Sequence, residues 1–118
     1  MKLVRSIVAV AMLAACSSDS TGPSGSCQAG GTRVCMGAAS FNPSTLTVNA
    51  GATVEWVDAS GLTHTVISAP GSGETFNHTV SAGGSVSRTF NTAGTYDYYC
   101  SIHGSPTSGM RGTIVVNP

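Results

Sequence analysis

The sequence predicts an all-β fold, a β-sandwich of seven to eight short strands. Val, Thr and Gly are frequent, and several segments alternate apolar and polar residues, as half-buried strands do. Turn residues recur roughly every 8–12 residues, and no stretch shows useful helical periodicity. With 118 residues, the chain has room for one domain around a single hydrophobic core.

The first fifteen residues have the pattern of a secretory signal peptide, in which two cations precede an apolar run and small residues. Residues 13–16, Leu-Ala-Ala-Cys, resemble a bacterial lipobox, in which the cysteine thiol receives diacylglycerol. The alternative is plain secretion after Ala15, with Cys16 unmodified. We favour lipidation of Cys16, which predicts an exported protein anchored at the cell envelope, on its periplasmic face or outer surface.

Residues 16–26 are predicted to form a flexible tether between the lipid anchor and the folded domain. After Cys16 this stretch contains Ser, Gly, Thr, Pro and Asp, with no large apolar residue. The domain itself is predicted to span residues 27–118. A tether of this kind lets an anchored domain stand off the lipid headgroups.

The strand predictions follow the period-two pattern along the domain. They fall at residues 32–40, 44–49, 52–57, 64–68, 85–90, 96–100 and 112–116. Residues 41–43 break the first strand, and residues 69–79 are predicted as a loop in which His78 is solvated. Trp56 shares a strand face with small apolar residues and is therefore predicted to lie in the core.

The chemistry of the chain is concentrated near its end. Cys100 follows Tyr96 and Tyr98 on one strand face, His103 comes three residues later, and Met110 lies further along a Gly-, Ser- and Pro-containing loop. Soft sulfur and imidazole ligands suit copper, zinc or iron–sulfur centres, and two histidines, a cysteine and a weak axial methionine suit an electron-transfer copper. The second histidine must come from elsewhere, and His64 is the candidate.

These residues, in their order, resemble the cupredoxins, and most of all the plastocyanin/amicyanin-like small blue copper proteins. The resemblance covers about residues 32–117 and rests on Phe41, Pro43, Leu46, Val48, Gly51, Val54, Trp56, His64, Thr65, Val66, Gly94, Tyr96, Tyr98, Cys100, His103, Gly109, Met110 and Gly112. It implies a Greek-key sandwich with one Cu(I)/Cu(II) ion at one end. It also implies the metal ligands His64, Cys100, His103 and Met110.

The resemblance further implies where electrons cross the surface. His103 would be the main port, with Ile102 and Pro106 beside it. Tyr99 resembles a surface aromatic that serves as a second port in plastocyanins; the alternative is an ordinary exposed strand aromatic.

The sequence departs from the family pattern at three places near the proposed ligands. Thr65 stands where plastocyanins often have Asn, and Ile102 stands where Pro often precedes the second histidine. The loop between His103 and Met110 is also longer than in the best-known members. For this reason Met110 has a second interpretation, as a core residue at the start of the last strand.

Two cysteines remain once Cys16 is assigned to lipid and Cys100 to the metal. Cys27 and Cys35 are near each other in sequence, and an exported compartment is oxidising, so we favour a disulfide between them. It would contribute about 2–3 kcal/mol to stability. The alternative is a buried strand Cys35 and a loose Cys27 thiol.

Composition excludes several other function classes. Beyond residue 15 the chain carries three arginines, no lysine and five acidic residues, so nucleic-acid binding is not expected. The leading hypothesis is a monomeric, membrane-tethered electron carrier between exported redox partners, such as a cytochrome or a copper enzyme. Alternatives are a copper storage or delivery lipoprotein and a metal-free β-sandwich binding module. An enzyme is not expected.

Overall fold

The structure is a computed structural model that describes residues 27–118. The predicted signal peptide at residues 1–15 and the tether at 16–26, with its Cys16, lie outside the described residues. The described part forms nine strands: β1 (Arg33–Met36), β2 (Phe41–Asn42), β3 (Thr45–Asn49), β4 (Ala52–Asp58), β5 (His64–Ser68), β6 (Asn77–Val80), β7 (Ser85–Phe90), β8 (Gly94–Gly104) and β9 (Gly109–Asn117). Within that part, no helix is long and apolar enough to cross a membrane.

The strands form two sheets that pack as a sandwich, which confirms the predicted fold class. One sheet has the order β2-β1-β4-β7 and the other the order β3-β9-β8-β5-β6. The β1–β4 and β3–β9 pairs are parallel, and the remaining pairs are antiparallel. Both sheets are therefore mixed, and the chain crosses between them several times.

The strand count differs from the prediction because two short strands carry weak sequence signals. β2 has only two residues, and its position had been predicted as a break. β6 is largely polar, so its alternation was hidden inside the predicted loop at residues 69–79. The first strand is also shorter than predicted, since the Gly37 N–H bonds to the Ser40 carbonyl at 2.8 Å and turns the chain.

The core lies between the sheets and is built on interlocking aromatic rings. Tyr98 meets Phe41 edge-on at 4.6 Å between ring centroids and Trp56 at 5.4 Å. Phe90 contacts Trp56 and Tyr96 at 6.3 and 4.9 Å. Such pairs contribute about 0.5–1.5 kcal/mol each beyond the area they bury. The prediction of a buried Trp56 is confirmed, because its side chain has no exposed surface.

The strand that carries Cys100 extends further than predicted. β8 continues to Gly104, which pairs with Gly109 of β9, so only residues 105–108 form the loop. The β8–β9 register shifts between Tyr99 and Gly104, and this irregular segment contains Cys100 and His103. Such irregularities re-aim side chains and are frequent beside functional sites.

Candidate metal centre

Three of the predicted ligands come together at one end of the sandwich. His64 begins β5, whereas Cys100 and His103 lie on the neighbouring β8. The Cys100 Sγ atom is 3.7 Å from His64 Nδ1 and 3.6 Å from His103 Nδ1. One donor atom from each residue lies within 4.8 Å of the other two. The chain thus places two imidazole nitrogens and one sulfur around a common point.

The three side chains differ in their access to solvent. His64 and Cys100 have no exposed surface, whereas His103 is half-buried. Burial lowers the pKa of His64, although the nearby Asp58 carboxylate acts in the opposite direction. A neutral imidazole is the form that binds a metal, so the buried position favours ligation. Two imidazoles and a thiolate are a donor set that fits copper.

Thr65 connects the two strands that carry the three residues. Its backbone N–H points at Cys100 Sγ over 3.4 Å, and its Oγ1 accepts a hydrogen bond from the Ser101 N–H at 2.7 Å. The contact with the sulfur is made by the backbone and does not require the Asn that plastocyanins often carry here. The departure at Thr65 therefore leaves this contact intact.

Met110 lies just after the short loop that follows His103. It is the second residue of β9, directly after the Gly104–Gly109 pair, and its side chain is fully buried in the core cluster. A side chain on Gly104 would overlap the Met110 backbone nitrogen, so the two strands approach closely here. The longer loop is thus closed by its two glycines, and the role of Met110 as a ligand stays a prediction.

Comparison with known proteins identifies the family. Residues 28–117 match the family described as copper binding proteins, plastocyanin/azurin family. The chain is a cupredoxin of this family. It is 38% identical over 89 residues to a plastocyanin of Scenedesmus fuscus, a match that covers 68% of this chain and 89% of that protein. Plastocyanin/amicyanin-like cupredoxins are blue copper electron carriers, and the cofactor of this cupredoxin is copper.

Solved structures give the same assignment. An oxidised amicyanin variant superposes with a TM-score of 0.62 at 32% identity, over 72% of this chain and 80% of that one. A copper-containing nitrite reductase from Thermus scotoductus superposes with a TM-score of 0.65 at 30% identity. That match covers 74% of this cupredoxin but only 22% of the nitrite reductase chain, so it is limited to one part of the larger protein.

A buried carboxylate stands behind His64, and the sequence analysis missed it. Asp58 lies just beyond the predicted strand at residues 52–57, but it ends β4 and is almost fully buried, with Oδ1 3.4 Å from His64 Nε2. Burial alone would raise the pKa of Asp58, but hydrogen bonds from Ser60, Gly83 and Gly61 outweigh this effect and lower it to about 2. The period-two pattern of buried residues in β4 runs on to Asp58, and this signal could have identified it.

His78 does not occupy the solvated loop that the sequence predicted. It lies on β6, is half-buried, and stacks near Phe76 with the ring centroids 6.3 Å apart. The prediction failed because polar neighbours concealed the short strand. Burial lowers the pKa of His78, and the positive charge of Arg88 lowers it further.

The surface residues predicted to surround the site take different positions. Ile102 is 52% exposed beside His103, whereas Pro106 and Tyr99 are half-buried. Leu62, which the sequence analysis did not select, is 42% exposed two residues before His64. Within residues 27–118, Leu62 and Ile102 are the only large hydrophobic side chains with this degree of exposure. Each of them lies just before one of the two histidines in sequence.

Cys27 and Cys35 form a disulfide in the structure. Cys35 is also a buried residue of β1, so it is both a disulfide partner and a core residue of the strand. The bond fixes the start of the described chain to the sheet of β1 and β4. Cys100 remains a free thiol.

Proposed function

We propose that this cupredoxin is an electron carrier that binds one copper ion through His64, Cys100, His103 and Met110. The observation that supports this proposal best is the approach of both Nδ1 atoms to the Cys100 sulfur, at 3.6 and 3.7 Å. A bound copper ion supplies a one-electron Cu(I)/Cu(II) couple.

The protein's contribution is to keep the donor atoms in place during electron exchange. Cys100 is buried in the irregular segment of β8, and His64 is fixed at the start of β5. Ligands on packed strands rearrange little, and a small rearrangement keeps the barrier to electron exchange low. Copper binding requires a deprotonated Cys100 and neutral imidazoles.

We propose that electrons cross the surface at His103. Its ring is half-buried, whereas His64 and Cys100 have no exposed surface. The exposed Ile102 and the half-buried Pro106 provide an apolar surround that a redox partner can cover. The partner is proposed to be an exported cytochrome or copper enzyme, and Tyr99 on the outer face of β8 is a second candidate port.

We propose that lipidated Cys16 anchors this carrier at the cell envelope. The stretch from residue 16 to the disulfide at Cys27 spans at most about 40 Å when fully extended, which sets the radius within which partners are met. Cys16→Ser should release the protein from membranes into the soluble exported fraction and abolish incorporation of labelled palmitate. Unlabelled wild-type protein in the soluble fraction would contradict the anchor.

The copper site is tested by the visible spectrum of the Cu(II)-loaded protein. An intense absorption near the red part of the spectrum is expected from the Cys100 thiolate, and Cys100→Ser should abolish it. The double variant Cys27→Ser, Cys35→Ser is the control, because it removes the disulfide, leaves Cys100 in place and should retain the band. A colourless copper-loaded wild-type protein would overturn the proposal.

A further inference from the structure

The second ring nitrogen of His64 contacts a polar pair that the proposed function does not use. While Nδ1 faces Cys100, Nε2 lies 3.0 Å from Ser60 Oγ and 3.4 Å from Asp58 Oδ1. Ser60 Oγ is in turn 2.6 Å from Asp58 Oδ1. Both the His64 and Asp58 side chains are completely buried, whereas Ser60 is half-buried. The positions of the hydrogen atoms in this group therefore determine which ring nitrogen of His64 is protonated.

The neighbours of Asp58 favour its ionised form, which can only accept hydrogen bonds. Its Oδ1 accepts the Ser60 N–H at 2.8 Å, and its Oδ2 accepts the N–H groups of Gly61 and Gly83 at 2.9 and 2.7 Å. All three are backbone donors that cannot reverse. A carboxylate offers acceptors only. The fourth partner, the Ser60 hydroxyl, must therefore donate its single hydrogen to Asp58 Oδ1.

Once its hydrogen is committed, Ser60 Oγ can only accept further hydrogen bonds. It accepts the Leu62 N–H at 3.2 Å, which leaves a lone pair for His64 Nε2 at 3.0 Å. His64 must therefore carry a hydrogen on Nε2. In a neutral imidazole this leaves Nδ1 with a free lone pair, and Nδ1 is the atom that faces the Cys100 sulfur. If the imidazole had the other tautomer, two acceptors would meet at Ser60.

We propose that Ser60 and Asp58 are positioning residues that set the tautomer of His64 and bias the copper site toward its oxidised state. Hydrogen bonds relay the Asp58 charge through Ser60 to the imidazole and increase its basicity. A more basic ligand and a buried negative charge both stabilise Cu(II) more than Cu(I), which lowers the reduction potential. The tautomer stands on the hydrogen bonds alone, and the effect on copper rests on the proposed function.

The tautomer is tested on the metal-free protein by nitrogen-15 NMR of the histidine rings. We expect His64 to show a protonated Nε2 and an unprotonated Nδ1. A protonated Nδ1 with a bare Nε2 would overturn the proposal. Since no copper is present, this result does not depend on whether the copper site has been assigned correctly.

The bias toward Cu(II) is tested by measuring Cu(I) and Cu(II) affinities and the reduction potential of variants. Asp58→Asn removes the charge, and Ser60→Ala removes the relay but keeps the charge. We expect Asp58→Asn to lower the Cu(II) affinity about 10–100-fold, with a smaller loss for Cu(I). Each tenfold preferential loss of Cu(II) affinity raises the potential by about 59 mV.

Matched controls separate this effect from general damage to the fold. Asp97→Asn removes a carboxylate on the outer face of β8, and Ser87→Ala removes an exposed hydroxyl on β7. Ser60→Ala should raise the potential by less than Asp58→Asn, because Asp58 stays near Nε2, and Ser60→Thr should restore it. If Asp58→Asn does not fold, Ser60→Ala and Ser60→Thr still decide the question. If the wild-type protein shows the thiolate band but the Asp58 and Ser60 variants have the same reduction potentials as the controls, the proposed bias is overturned and the copper site is not.

Discussion

The two histidines of the candidate metal centre present the same atom to the same sulfur, yet they lie in opposite surroundings. His64 begins a packed strand, has no exposed surface, and is supported by Ser60 and Asp58 through its Nε2 atom. His103 lies near the end of β8, is half-buried, and follows the exposed Ile102. Their distances to the Cys100 sulfur differ by only a tenth of an ångström, at 3.7 and 3.6 Å.

This difference supports a division of roles within the proposed copper centre. The buried histidine is held by donors and acceptors that are all satisfied, so it defines the geometry of the site. The half-buried histidine lies nearer the surface, which supports its proposed role as the point where a partner exchanges electrons. A single centre can therefore be rigid on one side and reachable on the other, which is what exchange of an electron between proteins requires.

The difference in burial between the two histidines is tested most directly by replacing each with glycine and adding free imidazole. We expect both His103→Gly and His64→Gly to lose the thiolate absorption. Imidazole should restore the colour of His103→Gly, because the gap opens toward solvent. It should not restore His64→Gly, where access is blocked and the lost buried ring destabilises the fold by about 3 kcal/mol or more.

The measurement is the visible absorption during an imidazole titration, with urea unfolding of both variants alongside. His78→Gly is the control, because His78 lies on β6 outside the cluster of three and its variant should stay coloured without imidazole. Equal recovery of the two ligand variants would show that burial does not distinguish them.

The sequence allowed the access side of this centre to be predicted better than the support side. The spacing from Cys100 to His103 is local, and period-two alternation in β8 places Tyr96, Tyr98 and Cys100 on the buried face. His64 was selected because the site needs a second histidine, and the family resemblance implies the same residue, but no local pattern shows that the fold brings β5 beside β8. The strand cores follow for the same reason, because alternation is a property of neighbouring residues.

Period-two alternation in β4 indicates that Asp58 is buried, but the roles of Asp58 and Ser60 could not be recognised, because they depend on contacts between distant segments. The Gly83 N–H that helps to satisfy Asp58 comes from the turn before β7, and no pattern near Asp58 indicates it. β6 was missed for a related reason, because its strand character depends on pairing with β5 and not on its own polar sequence. Burial of a polar residue is a tertiary property.

The closed end of the loop after His103 provides the next test of the access side. A Cβ on Gly104 would fall 3.0 Å from the Ser108 carbonyl oxygen and would overlap the Met110 nitrogen, so Gly104→Ala must separate β8 from β9. We expect a loss of about 2–3 kcal/mol in the free energy of unfolding, together with a changed visible spectrum.

Gly71→Ala provides the matched control for this substitution. Gly71 has a positive φ of 89° but open space around its Cβ position, so the cost there is limited to about 1 kcal/mol of backbone strain. Urea denaturation and the spectra of both variants give the answer. A Gly104→Ala protein with unchanged spectrum and stability would contradict the close approach of the two strands.

A pair of buried methionines tests whether Met110 is the axial ligand. Met110 and Met36 are both fully buried in the core, but only Met110 follows the His103 loop. Met110→Gln should lower the reduction potential, since a harder oxygen donor favours Cu(II). Met36→Gln should cost similar stability, about 1–3 kcal/mol for a buried amide, and leave the potential unchanged. Cyclic voltammetry of both variants decides, and an unchanged potential and spectrum in Met110→Gln would restrict Met110 to a core role.

The smallest expected effect concerns His78, a partly buried histidine that lacks the support given to His64. Burial and the charge of Arg88 lower the pKa of His78 below its ordinary 6.5, so the unfolded chain binds a proton more readily than the folded one. The stability associated with His78 is therefore complete above pH 6.5 and decreases as the pH falls through and below that value. Urea unfolding of the metal-free protein at several pH values should show this decrease, and His78→Gln should make it shallower. His64 contributes in the same direction in the wild-type and His78→Gln proteins, so the difference between their slopes of unfolding free energy against pH isolates the effect of His78. Identical slopes would contradict the assignment of this pH dependence to His78.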